Sequence, residues 1–334
     1  MQTIRRILFA IRNPEAGRQA GLAKAIQVAR AFGARLELFH AMHVPAFDEL
    51  ALLQDETVDK LRERVEEQAR IPFVRMCAKA RQHGVPTEYS VEWDYPPHEA
   101  ILRRATVIGA DLIVAECHKG ARARPWLIHL TDWELLRTSP VPVLLVKNDK
   151  PYRRPLTLAA VDPARAHAKP RALDANIVAA AREFSTALRG ALHMAHANYP
   201  TIVGLPRKPS REDRKWSTLS YDQLKEQERE AFEAFRVEMQ VMRTRAHLVT
   251  GNPATVIPRL ARDLGAQVVV MGALSRSGLM RVLIGNSAER VLGSLPCDAL
   301  VVKPEGLEAR HLTSLASKGP RVLKDRDAHP GQLR

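Results

Sequence analysis

The chain has 334 residues, 46% of them hydrophobic and 26% charged, and a formal net charge of +14. That length suits two domains of about 150 residues each, and the composition is that of an ordinary globular protein. No apolar run approaches the ~20 residues of a membrane helix. The apolar run in "MQTIRRILFAIRNPEAG" is short and lacks a signal-peptide cleavage site, and Cys77, Cys117 and Cys297 are too few and too widely spaced for a disulfide framework. A cytoplasmic protein without membrane association is expected. The basic excess is spread over both halves, and no helix-turn-helix, zinc-finger or aromatic RNA-binding signature accompanies it. General attraction for anions is expected, specific nucleic-acid binding is not.

In chain order, "RRILFAIRNPEAG" reads as a strand running into a polar loop. The helix "AGLAKAIQVARAFG" follows, with Leu22, Ile26, Val28 and Phe32 near one face and Gly33 as its stop. A second strand, "LELFHAMHVPA", leads to a long helical segment ending at "MCAKARQHG", whose charges read as a solvated face. Strand, proline turn, amphipathic helix and strand follow in "TEYSVEWDYPPHEAILRRATVIGADLIV". A polar loop, a short helix, a proline-marked turn and a last apolar strand close the half at Lys147.

The order then repeats. "RPLTLAAVDPARA", "ALHMAHANYPT", the charged "SYDQLKEQEREAFEAFRVEMQVMRTR" and "RAHLVTGNPATVIPRLARDLGAQVVV" match the elements above, and the second copy closes at Lys303, 156 positions after Lys147. Missing a repeat miscalls a fold. Alternating strands and helices predict an α/β protein, each half a five-stranded parallel sheet with helices on both faces. The boundaries predicted are a first domain over 1–148, a linker over 149–155, a second domain over 156–305, and a basic tail over 306–334 expected to be flexible.

In such sheets, ligands settle beyond the carboxyl ends of the strands. "VVVMGALSRSGLMRVLIGNSAERV", residues 268–291, runs a strand through a glycine-bearing loop into a helix start, an arrangement suited to phosphate. The same segment is equally readable as a structural turn. The pattern Gly272-x2-Ser275-x9-Gly285-Asn286-Ser287 resembles the G-x2-G-x9-G-S/T loop of universal stress proteins. "AVDP", "GNPATVIPRLARDLGAQVVVMG", "ERVLGSLPCDALVVKPE" and, in the first half, "TDWELLRTSPVPVLLVK" extend the likeness to the tandem, UspE-like type over residues 3–305. The resemblance implies two such domains packed as a pseudo-dimer, and a non-catalytic stress-response protein that binds a small ligand. It implies ATP in the second domain, with Asp162 on the base side and Met271, Gly272, Ser275, Gly285, Asn286 and Ser287 on the phosphate side. Ser275 stands where the family has glycine, and Asn286 where it has a hydroxyl. The alternatives are a protein acting through an apolar ligand or partner contacts, and a slow ATPase whose base the sequence does not name. A homodimer and unknown protein partners are also open.

The first half departs further. Glu116, Lys119 and His129 stand at the positions of Gly272, Ser275 and Gly285, and Arg12 or Asn13 at that of Asp162, so no nucleotide is expected there. Glu116, Cys117 and His118 are adjacent on a strand end and point apart, which argues against a metal site. His193 and His196 fall on opposite faces of a strand and read as satisfied histidines, although His196 matches His40 and could line a cleft. Trp93, Trp126 and Trp133 read as aromatic filling or as the wall of an apolar cavity. No nucleophile-elbow, phosphate-loop or Ser-His-Asp pattern appears, so no catalytic residue or metal ligand is nominated.

Overall fold

Leu112–Glu116, Val143–Val146, Val268–Gly272 and Asp298–Val302 are apolar without alternation apart from the terminal Glu116 and Asp298, and nearly every residue in them is buried. Only a parallel sheet covered on both faces gives such runs a place. The computed structural model describes residues 4–16, 19–43, 56–117, 130–164, 172–198, 211–272, 286–303 and 322–323. Among them, 4–152 with 322–323 form one compact unit and 153–303 a second.

The first unit runs β1 (Arg6–Ala10), α1 (Ala20–Phe32), β2 (Arg35–Met42), α2 (Glu56–Gln82), β3 (Thr87–Trp93), α3 (Pro97–Ile108), β4 (Leu112–Glu116), α4 (Leu130–Thr138) and β5 (Val143–Val146). Its strands lie in the order β3-β2-β1-β4-β5, every pairing parallel. The second unit runs β6 (Leu156–Val161), α5 (Leu173–Ala187), β7 (Ala191–Asn198), α6 (Arg211–Glu238), β8 (Ala246–Thr250), α7 (Pro253–Asp263), β9 (Val268–Gly272), α8 (Asn286–Ser294) and β10 (Asp298–Val302). Its order is β10-β9-β6-β7-β8, again all parallel. Five parallel strands alternating with helices in each unit are what the repeat predicts. The tail differs at two positions from the unstructured segment expected: β11 (Val322–Leu323) pairs antiparallel with β3, Val322 opposite Glu92 and Leu323 opposite Val91. No helix among the described residues is long and apolar enough to cross a membrane.

The expected linker is anchored to α1. Gln27 Oε1 accepts the Tyr152 N–H at 2.9 Å. The buried Lys24 ammonium donates to Asn148 Oδ1 at 3.0 Å and lies 4.8 Å from the Tyr152 ring centroid. A buried ammonium needs such partners, because desolvating it alone is costly.

A second buried charge cluster, unmarked in the sequence, lies between α3 and the β2–β3 face. Arg104 Nε donates to Glu37 Oε1 at 2.5 Å, and its guanidinium lies 3.8 Å from Glu92 Oε1. Glu37 and Glu92 are 8% and 2% exposed. Burial raises both carboxyl groups above the ordinary range and outweighs the pull of Arg104. A raised carboxylate binds its proton more tightly folded than unfolded. Stability should therefore fall as pH rises from the ordinary Glu range through the raised one. Urea midpoints across pH 4–8 (roughly the span in question) should show that fall in the wild type, and Glu92→Gln should flatten it.

Six helix exits follow one pattern. A residue with positive φ breaks the helix, and the next N–H reaches five residues back, as Ala34 to the Ala29 carbonyl at 2.8 Å and Gly190 to that of Ser185 at 2.7 Å. In the first unit those residues are Gly33 (φ 64°), Gly84 (75°) and Gly109 (62°). Their counterparts 156 positions on are Arg189 (55°), Gln240 (52°) and Gly265 (66°). A side chain in this region costs about 1–2 kcal/mol, partly offset by the ~0.5–1 kcal/mol of backbone freedom a glycine loses on folding. Arg189→Gly and Gln240→Gly should each stabilise by about 0.5–1 kcal/mol and add in the double variant. Gly33→Ala, whose new methyl would meet nothing within 4 Å, should destabilise by a similar amount; denaturant unfolding reads all three.

Candidate functional site

The site builds up from the carboxyl ends of β6 and β9, which are neighbours in the second sheet. Asp162 follows β6 with its side chain 40% exposed. The peptide group that leads into it is held at both of its polar atoms. Its own N–H donates to Asp174 Oδ1 at 3.1 Å, from the first turn of α5, and the preceding carbonyl, Val161, meets His196 Nδ1 at 3.1 Å. His196, on β7, is 2% exposed. Its ring stacks on Phe232 of α6 at 5.9 Å, with Nε2 3.7 Å from Glu228 Oε2 and Nδ1 3.8 Å from Asp162 Oδ1. Asn198, two residues along the same face, donates to the Lys225 carbonyl of α6 at 3.1 Å.

At the end of β9, Met271 is buried and Gly272 half-buried. A Cβ on Gly272 would stand 2.7 Å from Leu173 Cδ2, at the start of α5. Asn286 and Ser287 are the first two residues of α8. A helix start leaves backbone N–H groups free to meet an anion. The structure thus brings Asp162, Met271 and Gly272 to adjacent strand ends. Ser275 and Gly285 lie outside the described residues.

The same junction in the first unit is closed by the protein itself. Glu116, ending β4, accepts the Gly21 N–H at 2.5 Å, so a carboxylate already occupies the start of α1. Asn13, one of the counterparts of Asp162, closes a turn, its Oδ1 accepting the Glu15 N–H at 3.1 Å. His40 repeats His196, with Nδ1 2.8 Å from the Ile11 carbonyl and its ring 6.3 Å from Phe73. Lys119 and His129 lie outside the described residues.

The model of the universal stress protein family matches the chain twice, over residues 3–147 and 158–303. The chain belongs to that family. It is 28% identical to universal stress protein E of Escherichia coli (strain K12) over 300 residues, 89% of this chain and 94% of that protein. A crystal structure from Pseudomonas aeruginosa UCBPP-PA14, described as a universal stress protein, superposes with a TM-score of 0.70 at 27% identity, covering 95% of this chain and 99% of that one. Solved universal stress proteins matching 43% and 44% of this chain, at 17% and 16% identity and TM-scores of 0.29, include complexes with cAMP and with dAMP.

Against this universal stress protein fold, sequence reasoning located Asp162 and the β9 end but missed what holds them. The sequence marks His196 only as a satisfied histidine that could line a cleft, whereas in the structure its Nδ1 meets the Val161 carbonyl. The available signal was its match to His40, each paired with a phenylalanine of the following helix. Asp174, Glu228 and Leu173 carried no signal, because nothing local marks which helix residue faces a strand end. His193 is satisfied as expected: its Nδ1 lies 2.9 Å from His247 Nε2, the rings stacked at 5.2 Å. Burial lowers both, and for His193 His247 and Arg245 add to it. Trp93 donates to Glu66, and Trp126 lies outside the described residues.

The Glu116 contact is testable. A Cβ on Gly21 would stand 2.4 Å from Glu116 Cγ and 2.7 Å from Phe9 Cε2. Glu116→Ala should cost about 1 kcal/mol as a lost helix-start acceptor, and Gly21→Ala about 2–3 kcal/mol through overpacking. The double variant should cost at least 0.5 kcal/mol less than the sum (roughly the coupling of touching residues). Strictly additive costs by urea unfolding would show that the two do not meet.

Proposed function

We propose that this universal stress protein is a non-catalytic, cytoplasmic stress-response protein that binds an adenine nucleotide such as ATP in its second unit. The observation that carries the reading is the asymmetry of the two strand-end junctions. Glu116 puts a carboxylate at the start of α1, whereas the corresponding β9 end is Gly272, which adds no charge. A negative charge fixed at a helix start both satisfies that start and repels phosphate. The second unit has no carboxylate at its β9 end; its acids there are Asp174, buried at the start of α5, and the braced, partly exposed Asp162. In this reading Asp162 accepts from the exocyclic amine of adenine, and the start of α8 at Asn286 and Ser287 faces the phosphates.

One observation favours a second reading, a protein that acts through an apolar ligand or a partner. Leu173 alone explains why position 272 must be glycine, since a Cβ would meet its side chain at 2.7 Å. The glycine then reflects packing and not the approach of a ligand.

Native mass spectrometry of the freshly purified chain followed by calorimetric titration with ATP-Mg²⁺ separates the two. One nucleotide per chain is expected, and Asp162→Ala should weaken it about tenfold or more, as for a lost hydrogen bond to a charged group. Glu116→Gln should leave the stoichiometry at one. No nucleotide on the wild type at millimolar ATP would turn the assignment to the second reading.

A further inference from the structure

His40 and His196, 156 positions apart, make the same contact in the two units, yet the second faces a carboxylate from the helix that covers it. Each Nδ1 lies against a carbonyl, Ile11 at 2.8 Å or Val161 at 3.1 Å. A carbonyl oxygen only accepts, so Nδ1 carries a hydrogen in both rings. A neutral imidazole has a single N–H, which leaves its Nε2 a bare acceptor. Burial favours that neutral ring at His40, where the Ile11 carbonyl is the only opposing influence.

At His196 the same neutral ring meets a conflict. Nε2 is buried with no hydrogen-bond partner, 3.7 Å from Glu228 Oε2. A lone pair held against a carboxylate oxygen, away from water, is repulsive, and the low local dielectric strengthens that repulsion. The surroundings make the conflict sharper. The Val161 carbonyl and the Asp162 carboxylate lie on the β6 side, the latter 3.8 Å from Nδ1. Leu248 is opposite on β8, and Phe232 and Glu228 come from α6. Among the described groups placed against the ring two are carboxylates, and the half-buried Lys225 stands one turn before Glu228 on α6.

We propose that His196 holds a second proton on Nε2 against Glu228, and that this proton keeps Nδ1–H on the Val161 carbonyl, making His196 the positioning residue for Asp162. Without it, the single remaining hydrogen is drawn to Nε2 and Glu228, Val161 loses its donor, and Asp162 is freed on that side. Ligand affinity in the second unit then falls when that proton is absent. The consequence for affinity rests on the nucleotide reading above; the protonation and the bracing of Asp162 do not.

The test uses the full ligand-free chain. Imidazole nitrogen–proton correlation spectra across pH should show His196 with hydrogens on both nitrogens where His40, in the same spectrum, has one. Glu228→Gln should return His196 to a single hydrogen. His196→Phe, which keeps the ring shape and removes the donor, should shift the Asp162 backbone amide resonance; His196→Asn, whose amide can replace the Nδ1 donor, should restore it. With ATP-Mg²⁺ as probe, the Phe variant should lose about tenfold in affinity and the Asn variant less than threefold (roughly 1.4 and 0.6 kcal/mol). A His196 that matches His40 at every pH, or an Asp162 amide unmoved in the Phe variant, overturns the proposal. If the wild type binds no ATP at any pH, the nucleotide reading fails, and the ring spectra and the Asp162 amide still decide this one.

Discussion

Parallel pairing is the constraint on which the rest of each unit depends. Two parallel neighbours cannot be joined by a tight turn, so each connection crosses over through a helix. The five parallel strands of each unit then end on the same side, and the chain must leave a helix abruptly to enter the next strand. The first requirement gathers Asp162 and Gly272 at adjacent strand ends. The second appears as six left-handed helix exits, each at the same position in the repeat. Gly33, Gly84 and Gly109 meet it without strain, whereas Arg189 and Gln240 hold a conformation that side chains disfavour.

The strand-end junctions show how one frame yields two chemistries. Where the final strand residue is large, the helix residue facing it is small, as with Glu116 and Gly21. Where the strand residue is Gly272, the helix supplies Leu173. The space is filled either way, as close packing requires. The charge differs: in the first unit the filler is a carboxylate that satisfies a helix start, and in the second it is an isobutyl group that satisfies none. The first junction therefore holds its carboxylate at the strand end, and the second holds its carboxylates at Asp174 on α5 and at Asp162 beyond β6.

Much of this frame was legible in the sequence. Uniformly apolar runs such as Val268–Gly272 announce strands covered on both faces, the 156-residue spacing announces the doubling, and Gly33 announces a helix end. Pairings between distant residues were not legible. The buried trio of Glu37, Glu92 and Arg104 looks in sequence like three surface charges, because only the docking of α3 on β2 removes them from water. Arg189 and Gln240 look like ordinary helix residues, since nothing local shows that the chain has already turned. Val322–Leu323 is too short and too charged in its surroundings to announce a strand; it forms one against the open edge of β3.

The histidines tie the two scales together. His40 and His196 both stand one strand away from the carbonyl they hold, so the contact comes from register and needs no specialised loop. In the first unit the residue directly beyond the held carbonyl is Arg12, and Asn13 after it is folded into its own turn. In the second, the residue beyond the held carbonyl is Asp162, with its backbone N–H fixed by Asp174 and its carboxylate turned partly to water. Both polar atoms of the peptide group that leads into one acid are thus fixed, which limits the freedom of its backbone. The buried polar atoms of His196, Asn198 and Glu228 are the cost of that rigidity.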